Sequence, residues 1–152
     1  KNPQAARPAL ELCFPSHKGK ALIRSVLAIL AGLVTLTALS FGIEAIADPL
    51  MMSLFPASLP TRSALSHSLP ATVFMFTYGA LSVAAGGYVA ARLARRAPLR
   101  HAAIMGIAES ALTLWAMVAM WNHAPALNWI VSLAMALPAA LAGGWLFDRR
   151  RH

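Results

Sequence analysis

Very little in this chain is charged, and almost none of the charge is acidic. Charged residues make up 12% of the 152 positions, and only five are Asp or Glu. A soluble domain usually carries about 25%, so a water-facing surface of ordinary composition is excluded. There is one cysteine, Cys13, which rules out an intramolecular disulfide and any Cys-based metal centre. Phosphate-cradling glycine loops, Gly-x-Ser-x-Gly, His-Glu-x-x-His and Cys-x-x-Cys are all missing. No nucleophile and base stand at a recognisable spacing, so an enzyme is not expected, and neither a metal nor another cofactor is called for.

What the chain has instead is apolar residues, 59% of it, and a mean hydropathy of +0.63. They lie in four runs: about 21–47, 70–91, 102–121 and 127–147. Each supplies roughly 20 residues or more, enough for a helix to cross a hydrocarbon core of about 30 Å. Segments such as Ala28-Ile29-Leu30-Ala31-Gly32-Leu33-Val34 do not alternate as spanning strands must. In lipid a helix satisfies its own backbone polar groups. The expected fold class is therefore all-α: an integral-membrane four-helix bundle with up-down topology. A tail over 1–20 precedes the helical domain of 21–148, and a basic tail of 149–152 follows it. The first run is too long for a signal-peptide core and has no convincing cleavage site, so it reads as an uncleaved span.

Proline-rich or basic stretches separate the runs. Pro49, Pro56 and Pro60 mark a linker over 48–69, and Pro70 opens the second helix. Lys1, Arg7, Lys18, Lys20 and Arg24 precede or open the first helix. Arg92, Arg95, Arg96 and Arg100 lie between the second and third, and Arg149, Arg150 and Arg151 follow the fourth. Twelve of the 13 Lys and Arg thus share one side, with only Arg62 on the other. By the positive-inside rule both termini belong in the cytoplasm. The net charge of +8 is then orientation and lipid contact rather than nucleic-acid binding, with Arg92, Arg95, Arg96 and Arg100 as the lipid-phosphate contacts. Trp121, Trp129, Tyr88 and Trp145 fall at interfacial depths, whereas Trp115 lies near the middle of its helix.

Small residues recur every fourth position: Ser82, Gly86, Ala90 and Ala94 on the second helix, and Ser132, Ala136, Ala140 and Gly144 on the fourth. Such stripes let helix backbones approach closely, within one bundle or against a second copy. Ala85-Gly86-Gly87-Tyr88 and Ala142-Gly143-Gly144-Trp145 hint at a repeated hairpin.

Among polar positions Glu109 stands out, because an ionised acid near the membrane centre costs on the order of 3 kcal/mol on insertion scales. It must be neutral, paired or in a polar cavity. A proton or cation site at Glu109, with Ser82 as its partner by depth, is one reading, and a Glu merely hydrogen-bonded across the bundle is the other. Glu44 and Asp48 share one face at the outer end of the first helix, where interfacial hydrogen bonding is expected. A divalent-metal site from Glu44, Asp48, His67 and His123 lacks any supporting spacing. Met51, Met52, Leu54 and Phe55 form an apolar patch expected on the outer leaflet or folded back over the bundle. His101, at the mouth of the third helix, is placed to meet a lipid phosphate.

The segment Gly86-Gly87-Tyr88-Val89-Ala90-Ala91-Arg92-Leu93-Ala94-Arg95-Arg96-Ala97-Pro98-Leu99-Arg100-His101-Ala102 resembles a pattern in small uncharacterised bacterial inner-membrane proteins: a Gly-Gly-Tyr helix end, a basic loop, then Pro-x-x-His-Ala. The resemblance implies a bacterial cytoplasmic membrane and about four helices, and brings no activity. The leading expectation is a non-enzymatic scaffold or accessory subunit, packing by its small-residue faces against a second copy or a larger membrane complex. The alternative is a small proton-coupled transporter using Glu109.

Overall fold

The computed structural model describes residues 16–58, 60–94, 97–121 and 125–151. They form five helices: α1 (Ser16–Leu54), α2 (Arg62–His67), α3 (Leu69–Ala94), α4 (Pro98–Ala119) and α5 (Ala126–Arg149). All but α2 are long and apolar enough to cross a membrane. The chain is a multi-pass, all-helical bundle. Of the expected tail over 1–20, residues 1–15 lie outside the described residues and 16–20 already belong to α1; the loop residues Arg95, Arg96 and His123 also lie outside them, as do the side chains of Lys18, Lys20 and Arg62.

Large apolar side chains point outward all along the bundle. Phe41, Trp115 and Val118 are 67%, 72% and 74% exposed. In water this would be one continuous apolar surface, far beyond what a soluble monomer tolerates. In lipid it is the solvated face. Trp115, which fits no interfacial belt, is thereby explained as a lipid-facing residue. Hydroxyls inside the spans turn back on their own helices: Thr35, Thr77, Ser82 and Ser110 donate to the carbonyls of Ala31, Val73, Tyr78 and Gly106 at 2.7–2.9 Å.

Contacts fix the arrangement. α1 runs antiparallel to α3, with Gly32 against Gly86 and Arg24 beside Leu93. α4 runs antiparallel to α5, with Gly106 against Ala140 and Gly144 against Ala102. α3 and α5 run parallel, pairing Ala84 with Gly143 and Tyr88 with Phe147. α3 holds the most central position, packed on α1, α4 and α5. Both ends of the described chain reach the same, arginine-rich end of the bundle.

The paired glycines are corner residues. At Gly86 an added Cβ would meet the Gly32 carbonyl of α1, and at Gly87 the Ala140 backbone of α5. At Gly143 it would overlap the Ala84 carbonyl of α3, and at Gly144 the Ala102 methyl of α4. Each Gly-Gly doublet therefore admits two neighbouring helices at once, on faces about 100° apart. The Ser82, Gly86, Ala90, Ala94 stripe is fully buried, as are Ala136, Ala140 and Gly144. Their faces are covered by this chain's own helices. Gly86 of the first stripe meets α1 and Met105, while in the second Ala140 meets both α3, at Gly87, and α4, at Gly106, and Gly144 meets α4.

The end of the first helix and the linker after it differ from the sequence reading, and α4 begins at Pro98 rather than 102. α1 does not stop at residue 47 but continues through Pro49 to Leu54. Proline removes one backbone hydrogen bond, a loss that neighbouring elements offset in membrane helices. The 33 residues from Leu22 to Leu54 would extend about 50 Å, more than a hydrocarbon core, so α1 tilts or projects. The linker is not irregular throughout, because Thr61 caps α2 by accepting from the Ala64 N–H at 3.3 Å. Leu65 of α2, Ala71 of α3, Met51 and Met52 form a separate small core. The methionine patch thus folds back over the bundle at Met51 and Met52, while Leu54 and Phe55 stay exposed.

Candidate functional site: an acid-lined intramembrane cavity

Packing density changes halfway along the bundle. Near the arginine-rich end Ala28, Gly32 and Leu36 of α1, six positions of α3 from Ser82 to Ala94, Ala102, Met105 and Gly106 of α4, and Ala136 to Gly144 of α5 close the interior. Leu36, Ala90, Met105 and Ala140 form one core cluster. Toward the opposite end no residue of α4 beyond Gly106, and none of α5 before Ala136, is buried. Larger side chains, among them Met75, Phe76, Trp129 and Met135, stand between the helices there.

They leave a partly open cavity of about 370 Å³ walled by α1, α3, α4 and α5. This lies within the ~300–1,000 Å³ range of small-molecule sites. Two of the acids carried by the spanning helices line it. Glu109 projects from midway along α4, and Glu44 from α1. Ser40, Thr72, Tyr78, Thr113, Asn128 and Ser132 supply further polar atoms, and among the described residues no Lys, Arg or His lines the wall.

Two hydrogen bonds position the acids. Tyr78, itself buried, donates its phenolic O–H to Glu44 Oε1 at 3.1 Å. Its ring packs edge-on against Phe74, with centroids 5.4 Å apart. Thr113, one turn beyond Glu109, donates its hydroxyl to Glu109 Oε1 at 3.4 Å. Ser82 is not the partner of Glu109. It is buried in the dense half, and its Oγ donates to the Tyr78 carbonyl at 2.8 Å. Helical hydroxyls commonly spend their donor on the i−4 carbonyl, so matching by depth alone paired the wrong residues.

Glu44 was legible as an acid but misplaced. Ending the first helix before Asp48-Pro49 puts Glu44 at the interface. The observed helix carries on for about two further turns, which brings Glu44 inside the span and onto the cavity wall. Tyr78 carried no signal beyond being a tyrosine in an apolar run.

Other predicted positions fall elsewhere. Among the described residues no three of Glu44, Asp48, His67 and their like gather as a metal-holding group, and His123 lies outside them. His101 is turned into the protein rather than toward lipid: its Nδ1–H donates to the Ala97 carbonyl at 3.1 Å, and its Nε2 lies 3.1 Å from the Ser25 hydroxyl oxygen. That pair ties the start of α4 to α1. The turn before it is strained, with Ala97 at φ 47°. Arg92 and Arg100 are exposed at the arginine-rich end, whereas Arg95 and Arg96 lie outside the described residues.

No family model, no curated protein and no solved structure matches the chain. Its function has to be argued from the cavity.

Proposed function

We propose that the protein is a small membrane carrier that exchanges protons for a cation, with Glu109 as the exchanging carboxylate. The observation that carries this reading is the cavity itself. Among the described residues, two acids, hydroxyls and an amide line it without a basic residue, among apolar and aromatic side chains. A low-dielectric pocket of one charge sign favours a solute of the opposite sign. The methionine and aromatic walls suit an organic cation with an apolar body, since ring faces attract cations.

In this mechanism Glu109 holds either a proton or the cation. Arrival of the cation displaces the proton, and reprotonation releases the cation. Thr113 steadies one carboxylate oxygen and leaves the other for the solute. Glu44, held by Tyr78, supplies a second negative group that favours the cation on the way to Glu109. The chemistry is carriage, with no covalent step.

The scaffold reading depended on small-residue stripes being open for docking. From Ser82 to Ala94 and from Ala136 to Gly144 those faces pack on the chain's own helices, which favours carriage over docking through them. The twelve-to-one distribution of basic residues supports both termini facing the cytoplasm, and the resemblance over 86–102 supports a bacterial inner membrane.

The test is reconstitution into vesicles under an imposed pH gradient, with uptake of fluorescent organic cations followed for wild type and Glu109→Gln. The wild type is expected to show gradient-driven uptake that the variant loses while keeping its helicity and monodispersity. Equal uptake by the two proteins would contradict the role of Glu109.

A further inference from the structure

Glu44 and Glu109 stand at different depths, and the packing fixes how far apart. Gly32 of α1 meets Gly86 of α3, Gly87 meets Ala140 of α5, and Ala140 in turn meets Gly106 of α4. These contacts mark one level across the four spanning helices. α1 and α4 run in the same direction from it, away from the arginine-rich end. Glu109 lies three positions beyond Gly106, whereas Glu44 lies twelve beyond Gly32. At 1.5 Å per residue their Cα atoms are therefore about 13 Å apart along the bundle. Helix side chains lean toward the N-terminus, so both carboxylates lean the same way and the gap persists. Tyr78, on the antiparallel α3, leans the opposite way, which carries its hydroxyl from nearer the closed half up to Glu44.

One hollow joins the two depths. Its wall runs from Val83 and Ala136, level with Glu109, to Thr72 and Asn128, near the level of Glu44. A volume of about 370 Å³ spread over that length makes a slot rather than a round chamber. Gly79 of α3 borders the slot between the acids, and a Cβ added there would meet nothing within 4 Å. Phe76 and Met135 supply apolar surface at intermediate depth.

We infer that the solute of this slot is a linear dication of the α,ω-diamine class, with one ammonium on Glu109, the other on Glu44, and its alkyl middle lying past Gly79. The inference rests on the carrier reading and narrows its substrate class. An ammonium sits about 2.7–2.9 Å from a carboxylate oxygen, so two nitrogens roughly 7–13 Å apart match the two acids. A compact monocation reaches one acid at a time and leaves the other uncompensated in a low-dielectric site, whereas a dication of that length balances both.

The experiment titrates the full chain in nanodiscs, by calorimetry with empty nanodiscs subtracted, against 1,6-diaminohexane, 1-aminohexane and 1,3-diaminopropane. Wild type is expected to bind 1,6-diaminohexane at least about tenfold more tightly than the monoamine, which lacks the second charge, or the short diamine, which cannot span the acids. Glu44→Gln should bring 1,6-diaminohexane down to the affinity of 1-aminohexane. Gly79→Leu leaves both acids in place but fills the slot between them, and should weaken 1,6-diaminohexane about tenfold. Helicity and monodispersity of each variant separate loss of the site from loss of the fold. Equal affinity of wild type for the three amines, no binding of any of them, or a diamine preference undiminished in Glu44→Gln would overturn the inference. None of these results decides the carrier reading, which fails instead if gradient-driven uptake of fluorescent cations is the same in wild type and Glu109→Gln.

Discussion

The two halves of this bundle use the same four helices to opposite ends. In the arginine-rich half glycine and alanine bring backbones into contact, and the interior is closed. In the other half bulkier side chains separate the helices, and the gap is lined by Glu44 and Glu109. Lipid supplies no hydrophobic drive for helix association, so membrane helices depend on close van der Waals approach. The dense half provides that approach. It holds the helices together while the open half accommodates acids that close packing would exclude.

The largest effect should come from breaking the dense half. A Cβ at Gly143 would overlap the Ala84 carbonyl, and one at Gly87 the Ala140 backbone, and neither obstacle is a flexible side chain. Gly143→Leu or Gly87→Leu should destabilise the bundle by more than about 3 kcal/mol, read as loss of folded protein in a detergent unfolding titration. Glycines away from these contacts give the opposite result. An added Cβ at Gly42 or Gly79 meets nothing within 4 Å, so Gly42→Ala and Gly79→Ala should change stability by less than about 1 kcal/mol, toward greater stability if anything, since alanine favours the helix. A large loss at Gly79 would dissolve the contrast between halves.

A smaller effect is expected on the acids of the open half. Tyr78→Phe removes one charge-assisted hydrogen bond to Glu44, worth about 1.5–3 kcal/mol at most. It should weaken cation binding by roughly tenfold and leave the pH dependence of transport in place, because Glu109 is untouched. Loss of pH dependence in this variant would shift the proton-carrying role from Glu109 toward Glu44. Smaller still is Trp129→Phe. The Trp129 indole nitrogen is buried without a hydrogen-bond partner, so deleting it removes an unmet donor while opening some space. The net change should stay within about 1 kcal/mol, measured by thermal unfolding in detergent.

The dense half was the more legible in the sequence. Four apolar runs mark the spans, and the four-residue spacing of small residues marks the close-packed faces. Their partners were not legible, because a stripe shows which face is thin and not which helix fills it. The Gly-Gly doublets looked like a weak internal repeat, and their physical meaning, two close approaches at one corner, needs the neighbouring helices in place. The open half was harder to read. Pro49 ordinarily ends a helix, so Glu44 seemed interfacial, and the persistence of α1 through that proline is what brings the two acids to one cavity. Ser82 seemed the natural partner of Glu109 by depth, yet a serine on a helix has its own i−4 carbonyl nearer at hand. His101 likewise finds Ser25 across the bundle instead of lipid.

The contrast between halves is tested most directly by thiol labelling in native membranes, with Cys13 replaced by serine and single cysteines introduced one at a time. Thr113→Cys and Ser132→Cys, on the cavity wall, should react with a membrane-impermeant maleimide. Ala90→Cys and Ala140→Cys, both 0% exposed, should stay unlabelled until the protein is unfolded. Silence at positions 113 and 132, or labelling at 90 and 140 equal to theirs, would contradict an acid-lined cavity reached by water above a closed floor.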